Sequence, residues 1–367
     1  MKNHICFVAG RSGGHIIPCL TLAQKIKNQD PSTHITFICT NKKLDKQLTH
    51  HKIIKYNMYL PLDNVPQKWY AYPRFFWHLL KSCMLSMLHF VYTQPKMVIS
   101  TGGYIAIPVV IAARIMRIPV ELWELNVQPG KASKFLAPFA QTIHCCFHET
   151  LKKFTSKRFK KTTQHTPYPV RYNATDKKDS PRLNSPSLNS PHLNSPHLNR
   201  PRLNRPSLNR NECIHNLKLD TNRTTLFIIG GSQGSREINT LTKQFIASHP
   251  NYHSKLQIIH QTGTDNPELI QKFYKNINVP AITFSYQNDL VDIYNAADII
   301  ISRAGAGTLA EIAFFEKKCI IIPLKTKTNN HQVFNAQAVA QEKPTYFTCA
   351  DASSFEKIMS SKLDKIL

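Results

Sequence analysis

Two glycine-rich turns in the second half of the chain have the residue types that bind phosphate groups. One lies within residues 297–312, A-D-I-I-I-S-R-A-G-A-G-T-L-A-E-I, where the β-branched run 299–301 precedes Gly305 and Gly307. The other lies within residues 226–239, L-F-I-I-G-G-S-Q-G-S-R-E-I-N. A strand, a glycine turn and a helix start direct backbone N–H groups and the positive end of a helix dipole at an anion. The pair of turns predicts a nucleotide held from two sides.

Each turn also has a purely structural interpretation. Thr308 is the predicted N-cap of its helix, and Thr308 with Glu311 has the spacing of a capping box, which needs no ligand. Glycine at a strand-to-helix turn can also serve packing alone. The occurrence of both turns after apolar strands favours a binding site.

Three strand ends in the first half carry residues that suit a polar substrate. They lie within residues 5–18, I-C-F-V-A-G-R-S-G-G-H-I-I-P, within residues 97–108, M-V-I-S-T-G-G-Y-I-A-I-P, and after the strand 118–123. Because open α/β sheets bind ligands beyond the carboxyl ends of their strands, these positions predict one pocket. The residues predicted to line this pocket are Gly13, Gly14, Gly102, Gly103, Tyr104 and Asn126.

His15 and Glu124 are the candidate catalytic residues. A histidine has an ordinary pKa near neutral pH, so His15 can act as a general base, or it can simply donate a hydrogen bond. Glu124 is the alternative base or a partner that orients the base.

Alternating strand and helix patterns in both halves predict two doubly wound parallel sheets. The predicted boundaries are 1–172 for the first domain, 173–222 for a linker and 223–367 for the second domain. Residues 180–209 consist of six pentads, from SPRLN to RPSLN. A proline in every pentad excludes helix and sheet, so the pentads predict a disordered insert without chemistry.

The charge is +25 and is unevenly distributed. Residues 1–172 contain 24 Lys and Arg against 6 Asp and Glu, and the rest of the chain contains 23 against 16. A basic first domain predicts an anionic partner, either a phosphate-bearing substrate or a lipid headgroup, with nucleic acid as a weaker alternative. The nine cysteines show neither zinc nor C-x-x-C spacing, and a strand pattern follows the N-terminus directly, so we expect a reduced, intracellular protein.

Residues 57–92 are rich in aromatic side chains and predict a helix from about residue 75. The helix is barely long enough to span a bilayer and is interrupted by Lys81 and two histidines, so we reject a transmembrane span. It either buries most of its surface or dips its exposed end, residues 72–77, into a membrane surface ringed by cations. The predicted membrane patch consists of Tyr72, Arg74, Phe75, Phe76, Trp77 and Lys81.

Eight ordered motifs resemble the MurG family, the bacterial lipid II synthases. They are G-x-S-G-G-H (10–15), S-T-G-G-Y (100–104), E-x-N-x-x-P-G-K (124–131), P-V-R (169–171), G-G-S-Q-G (230–234), H-Q-T-G (260–263), S-R-A-G-A-G-T-x-x-E (302–311) and H-Q-x-x-N-A (331–336). The resemblance covers nearly the whole chain apart from the pentads. It implies a GT-B fold, with two Rossmann-like doubly wound parallel-sheet domains and a cleft between them.

The resemblance further implies an inverting transfer of N-acetylglucosamine from UDP-N-acetylglucosamine to the C4 hydroxyl of undecaprenyl-pyrophosphoryl-N-acetylmuramyl-pentapeptide. The implied partners are this donor, the undecaprenyl-linked acceptor and anionic inner-membrane lipids, with no specific nucleic acid. No metal or other cofactor is expected, because the chain lacks a D-x-D motif. The implied location is peripheral, on the cytoplasmic face of the bacterial inner membrane. The implied donor-binding residues are Arg171, Ser232, Gln233, Gly234, Tyr286, Gln287, Gly307, Thr308, Glu311, His331, Gln332 and Asn335.

The chain departs from the family pattern on the acceptor side. Arg11 stands where the family usually has glycine, Trp123 where it has histidine and Leu125 where it has glutamine. The C-terminal region also looks shorter than that of the family, in which a last helix normally returns to the first domain. The alternatives are another GT-B enzyme acting on UDP-sugars, such as a lipid glycosyltransferase or a UDP-N-acetylglucosamine epimerase, an inactive homologue, and a basic nucleic-acid-binding protein.

Overall fold

The chain folds into two compact units in a computed structural model, Met1–Arg171 and Tyr172–Leu367. The structure describes residues 3–10, 12–62, 66, 68–154, 163–177, 209–231, 234–325 and 330–367. The pentad insert, apart from Asn209, lies outside the described residues, as do Arg11, Ser232 and Gln233.

The first unit alternates strands and helices along the chain. Its strands are β1 (His4–Val8), β2 (His34–Thr40), β3 (Tyr56–Leu60), β4 (Met97–Ser100), β5 (Val120–Glu124), β6 (Thr142–Cys145) and β7 (Thr163–His165). Its helices are α1 (Gly13–Gln29), α2 (Lys43–Thr49), α3 (Tyr72–Thr93), α4 (Ala106–Ile115), α5 (Lys131–Leu136) and α6 (His148–Leu151). Short 3₁₀ turns form at Trp69–Ala71, Ala137–Phe139 and Lys152–Phe154.

The first sheet is parallel throughout, with the strand order β3-β2-β1-β4-β5-β6-β7. The chain adds strands on one side of β1 and then returns to add β4 on the other side. This reversal opens a crevice beyond the carboxyl ends of β1 and β4, where doubly wound sheets bind ligands.

The second unit repeats this plan. Its strands are β8 (Thr224–Ile229), β9 (Leu256–Gln261), β10 (Ala281–Phe284), β11 (Ile299–Ser302), β12 (Lys318–Ile321) and β13 (Phe347–Cys349). Its helices are α7 (Arg210–Asn216), α8 (Arg236–Ser248), α9 (Pro267–Asn276), α10 (Val291–Ala296), α11 (Ala306–Phe314), α12 (His331–Glu342) and α13 (Phe355–Leu363). The parallel strand order β10-β9-β8-β11-β12-β13 places the reversal between β8 and β11. The predicted pair of doubly wound sheets is therefore confirmed.

Each unit buries its own apolar core. In the first unit, β-branched and leucine side chains of the central strands pack with the alanines and valines of α4. In the second, isoleucines of β8, β9 and β11 pack against α8, α9 and α13. The near-continuous apolar runs of these strands are what burial on both faces of a parallel sheet requires.

Both ends of the predicted linker are ordered and pack within the second unit. The Asn295 side chain donates to the Asp176 carbonyl at 3.0 Å. Arg210, at the start of α7, makes two hydrogen bonds to the Asp298 carboxylate, at 2.8 and 2.6 Å. The sequence did not indicate these contacts, because the composition of the pentads suggests that the residues on either side are unstructured as well.

The predicted N-cap of α11 was wrong by three residues. The helix begins at Ala306 with Gly305 as its N-cap, so Thr308 already lies inside the first turn. Glu311 therefore sits in the middle of α11 and forms no capping box. Glycine is a favourable N-cap and needs no side-chain partner, so the sequence pattern T-x-x-E concealed the earlier start.

Helix α3 begins at Tyr72 rather than near residue 75 and turns its two serines toward the protein. Ser82 and Ser86 are fully buried, and the Ser86 hydroxyl donates to the Ser82 carbonyl at 2.7 Å. Helix α3 packs against α4.

The outward face of α3 and the preceding turn is apolar over the full length of the helix. The exposed large side chains are Trp69, Tyr70, Tyr72, Phe76, Trp77, Leu80, Met84, Leu88, Val91 and Tyr92. The exposed apolar surface extends beyond the predicted patch, and Phe75 within that patch is half-buried because it packs against the core. The membrane contact of these residues remains a prediction. Phe75 and Phe76 are indistinguishable by residue type, and only the direction of the helix decides which of them is exposed.

None of the helices in the described part of the chain is long and apolar enough to span a membrane. All nine cysteines are described and none forms a disulfide. Among the described residues, no group of three or more His, Cys, Asp and Glu side chains is arranged to hold a metal ion.

Candidate functional site

His15 lies at the reversal point of the first sheet, in the first turn of α1. Its Nδ1 is 2.9 Å from the Thr101 carbonyl oxygen, which directly follows β4. A carbonyl oxygen can only accept, so Nδ1 donates and the neutral imidazole carries its lone pair on Nε2. The Thr101 hydroxyl donates in turn to the His15 carbonyl at 3.1 Å. These two bonds join the glycine turns after β1 and β4 and fix the histidine tautomer.

Glu124 is buried at the carboxyl end of β5 and serves the loop that follows it. Its Oε1 accepts from the Asn126 N–H at 3.0 Å, and its Oε2 accepts from the Gly130 N–H at 3.3 Å. Burial raises the pKa of the Glu124 carboxyl, while the Ser133 hydroxyl and these N–H groups stabilise its charged form. These contacts show that Glu124 shapes the loop after β5, and its role in catalysis remains a prediction.

Gly102 ties the turn after β4 to the same loop region. Its φ is +85°, and a Cβ atom on it would lie 2.7 Å from the Ser133 Oγ. Ser133 also bonds Glu124. Ser133 therefore joins two acceptor-side segments, a role that nothing in its sequence context indicated.

The remaining predicted acceptor residues surround these contacts. Gly13 and Gly14 form the first two residues of α1. Gly103 also has a positive φ, of +83°, and its position is open, because no atom would lie within 4 Å of a Cβ atom placed on it. Tyr104 is partly buried and packs against the core of the first unit.

Trp123 and Leu125, two of the departures from the family pattern, are both buried in the first unit. Trp123 is buried and stacks on His144 of the neighbouring strand, with ring centroids 4.3 Å apart. Leu125 is buried beside it in the chain. Both substitutions place apolar surface inside the first unit.

The second unit starts two helices at the reversal point of its sheet. Helix α8 follows β8 through the first glycine turn, and α11 follows β11 through the second. The Ser235 hydroxyl accepts from the Ile238 N–H at 3.3 Å as the N-cap of α8. Gly307 and Thr308 lie in the first turn of α11. Two helix N-termini at neighbouring strand ends direct backbone N–H groups and positive dipole ends toward one edge of the sheet, where an anion would be stabilised.

Interlocking glycines hold the first of these turns. A Cβ atom on Gly234, whose φ is +73°, would lie 2.5 Å from the Gly263 Cα and 2.7 Å from the Thr262 carbonyl oxygen. The G-G-S-Q-G and H-Q-T-G motifs therefore pack backbone against backbone, which explains why both contain glycine.

A buried hydrogen-bond chain supports the same contact. The Asn239 Nδ2 donates to the Thr262 carbonyl at 3.0 Å and to the Asp265 carboxylate at 2.7 Å. Its Oδ1 accepts from the His260 Nε2 at 2.9 Å, and the Tyr274 hydroxyl donates to the His260 Nδ1 at 3.0 Å. Burial lowers the pKa of His260 to about 3, so the histidine is neutral in this chain.

Ion pairs on both sides of α8 were not apparent from the sequence. Arg303 is buried in the second glycine turn, which follows β11. Its Nη2 lies 2.7 Å from the carboxylate of Glu237, in the first helical turn of α8. Arg236 pairs with Asp265 at 3.3 Å. The only available signal was the presence of opposite charges in two motifs that follow neighbouring strands.

Several predicted donor residues hold the loops on which they lie. The Gln287 amide donates to the Asp289 carbonyl at 2.6 Å after β10, directly following Tyr286. Gln332, next to His331 at the start of α12, accepts from the Leu324 N–H at 3.0 Å. Asn335 is buried and donates to the Ala304 carbonyl at 3.2 Å, which joins α12 to the second glycine turn.

Glu311 accepts a hydrogen bond from the hydroxyl of buried Tyr294, at 3.0 Å. Arg171 is the last residue of the first unit and is followed by Tyr172, whose ring is buried in the second unit. The proposed ligand contacts of all these residues remain predictions.

Comparison with known proteins agrees with this architecture. Residues 5–145 match the glycosyltransferase family 28 N-terminal domain, and residues 225–367 match the glycosyltransferase family 28 C-terminal domain. The crystal structure of Acinetobacter baumannii MurG superposes with a TM-score of 0.69 at 21% identity, over 99% of this chain and 90% of that one. The predicted GT-B fold is thereby confirmed.

Two similar sequences carry the same name, UDP-N-acetylglucosamine–N-acetylmuramyl-(pentapeptide) pyrophosphoryl-undecaprenol N-acetylglucosamine transferase. The protein from Pelagibacter ubique is 30% identical over 343 residues, covering 92% of this chain and 82% of the relative. The protein from Thermodesulfovibrio yellowstonii is 26% identical over 365 residues, covering 99% and 89%.

Gly234→Ala tests the packing of the two glycine turns. We expect a loss of about 2–5 kcal/mol in the free energy of unfolding, because a left-handed φ and a backbone clash both oppose the added methyl group. Gly231→Ala is the matched control, since its φ of +86° is similar but no atom lies within 4 Å of the new Cβ. It should lose only about 1–2 kcal/mol. Equal losses in denaturant titrations would contradict the interlock.

The pH dependence of unfolding tests the neutral state of His260. Because the folded pKa lies below the ordinary value of 6.5, the unfolded chain binds the proton more readily. The contribution to stability is complete above about pH 6.5 and falls by about 1.4 kcal/mol per pH unit toward pH 3. In denaturant titrations, the free energy of unfolding of His260→Gln should therefore fall by about 2 kcal/mol less than that of the wild type between pH 7 and pH 5. Parallel curves for both proteins would show that His260 takes up its proton in the folded state.

Proposed function

Because the chain belongs to the MurG family of glycosyltransferases, we propose that it transfers N-acetylglucosamine from UDP-N-acetylglucosamine to undecaprenyl-pyrophosphoryl-linked N-acetylmuramyl-pentapeptide. The family is the one whose named relatives match this chain over nearly its full length. The observation that carries the proposal is the start of α8 and α11 at the ends of the neighbouring strands β8 and β11. This arrangement suits the diphosphate of a nucleotide sugar.

The donor reaction creates negative charge that these helices can stabilise. When the bond between the anomeric carbon and the diphosphate oxygen breaks, its electron pair stays on that oxygen and UDP leaves. The N-termini of α8 and α11 present N–H groups and positive dipole ends to such charge without reorganisation. Neither a metal nor another cofactor is part of the proposed step, and Arg171 is proposed to add a guanidinium to the same charge.

The acceptor reaction requires a base for the attacking hydroxyl. As the C4 oxygen bonds to the anomeric carbon, its proton passes to the Nε2 of His15, and the single displacement inverts the anomeric configuration. The Thr101 carbonyl holds the proton on Nδ1, so Nε2 is the basic nitrogen throughout. Glu124 supports this side by fixing the loop that carries Asn126.

Helix α3 supports a peripheral membrane location. An amphipathic helix in water exposes its polar face, whereas α3, besides the side chains that it packs on the core, also exposes aromatic and aliphatic side chains to solvent. Contiguous exposed apolar surface of this extent marks an interaction site. The exposed cations Arg74 and Lys81 lie on the helix, exposed Lys68 and Lys96 flank it, and all four suit anionic headgroups. We propose that this face contacts the cytoplasmic leaflet that carries the lipid acceptor.

His15→Gln tests the reaction with purified acceptor and radiolabelled donor. The wild type should form the disaccharide-bearing lipid, and the variant should lose about 10²–10⁴-fold in kcat while binding UDP with unchanged affinity. His50→Gln, on the exposed end of α2, is the control and should match the wild type.

Two results would contradict the proposal in different ways. Formation of UDP and an epimerised sugar without a lipid product would exclude the transferase. An active His15→Gln protein would leave the transferase but remove His15 as the base.

Serine variants of α3 test the membrane contact. Trp77→Ser and Leu88→Ser, combined, should weaken binding to phosphatidylglycerol vesicles by about 10-fold or more, because the apolar surface withdrawn from water is lost. Vesicle sedimentation measures the change, and UDP affinity should stay constant. Leu269→Ser is the control, since Leu269 is 67% exposed on α9 of the other unit. An equal effect of this control, or no effect of the α3 pair, would contradict the proposed surface.

A further inference from the structure

The Tyr294 hydroxyl fixes one oxygen of Glu311. It donates to Oε2 at 3.0 Å, from a tyrosine that is completely buried in α10 to a carboxylate that is half-buried in α11. A carboxylate oxygen can only accept, so the direction of this bond is unambiguous when Glu311 is ionised. Hydrogen bonds to charged acceptors are stronger than neutral ones.

The ring of Tyr294 has no room to move. It stacks on Phe315 with ring centroids 4.8 Å apart, and it meets Phe227 of β8 edge to face at 5.6 Å. Tyr172 closes a third side at 5.9 Å. Close packing on three sides leaves the hydroxyl in one position, so the bond restricts Glu311 rather than the reverse.

A capping interaction does not account for the orientation of Glu311. Because α11 begins at Ala306, Glu311 lies beyond the first turn, where a side chain no longer reaches the N-cap. The bond from Tyr294, by contrast, reaches this carboxylate from a rigid, buried donor.

We propose that Tyr294 is a positioning residue for the ribose of the donor nucleotide, acting through Glu311. This inference rests on the proposed function, in which Glu311 accepts hydrogen bonds from the ribose hydroxyls. A carboxylate has about four acceptor positions, so Glu311 can accept from Tyr294 and from ribose at once. Holding the side chain in one rotamer before the ligand arrives removes an ordering cost from binding.

The arrangement also predicts selectivity for the ribose hydroxyls. A buried, oriented acceptor discriminates strongly against an analogue that lacks the hydroxyl it was built to meet. A role of Tyr294 in packing alone would instead affect every nucleotide equally. The two roles are therefore distinguishable by the choice of ligand.

Tyr294→Phe removes the hydroxyl and keeps the ring. Isothermal titration calorimetry should show UDP binding weakened by about 10-fold, and steady-state kinetics should show a raised KM for the donor with little change in kcat. Binding of 2′,3′-dideoxy-UDP should be the same in the variant and the wild type. Tyr252→Phe is the matched control, because it removes a hydroxyl that bonds Asp364 at 2.7 Å, and it should leave UDP affinity unchanged.

A double-mutant cycle separates positioning from packing. In a Glu311→Ala background, Tyr294→Phe should change UDP affinity by less than about 2-fold, because the residue through which it acts is gone. Glu311→Asp, with a shorter side chain and the tyrosine intact, should reproduce the loss seen in Tyr294→Phe. Because Glu311→Asp leaves the packing of Tyr294 unchanged, it tests the positioning role even when Tyr294→Phe lowers the midpoint of thermal unfolding.

The outcomes are distinct. Absence of UDP binding in the wild type would overturn the proposed function itself. Unchanged UDP affinity in Tyr294→Phe, additive losses in the cycle, or equal losses for UDP and its dideoxy analogue would overturn the positioning role while leaving the function intact.

Discussion

The reversal of strand order within each parallel sheet is the constraint on which both candidate sites depend. Strands β1 and β4, and likewise β8 and β11, are neighbours whose following segments leave toward opposite faces of the sheet. The carboxyl ends of these strands therefore cannot be covered by their own connections, and a crevice remains. The bond between His15 and Thr101 spans the first reversal point, and the starts of α8 and α11 flank the second.

Rigidity at the second reversal point comes from backbone contact and buried polar groups together. Gly234 lies against Gly263, and Asn239 fastens the same turn through the carbonyl of Thr262. Burial alone would make these polar groups costly, but His260 and Tyr274 complete a chain in which each donor meets an acceptor. A preorganised cradle of this kind can stabilise developing charge without moving, which is the main requirement of a phosphate-leaving reaction.

Helix α3 shows a local pattern that only the whole fold makes stable. Phe90 and the partly buried apolar side chains of α3 hold the helix on the core, while a second set of apolar side chains faces outward. In a protein that remains in water this exposure would be unfavourable. The proposed contact with a lipid surface would offset that cost and would give the exposed apolar face a physical reason.

The sequence by itself determined the fold class and the position of each glycine turn. Mostly apolar strands of three to seven residues alternating with helices permit little besides a doubly wound sheet, and motifs at strand ends mark its ligand edge. Both depend on local order along the chain, which is why His15, Gly234 and the start region of α11 could be identified by residue type. The tertiary structure alone decided the partners. Only the structure shows that Tyr294 bonds Glu311 and that Arg303 pairs with Glu237. It also shows that Phe75 packs on the core while Phe76 is exposed, and that α11 begins at Ala306. These outcomes depend on distances between segments far apart in the chain and on the direction each helix faces, and no local pattern encodes either.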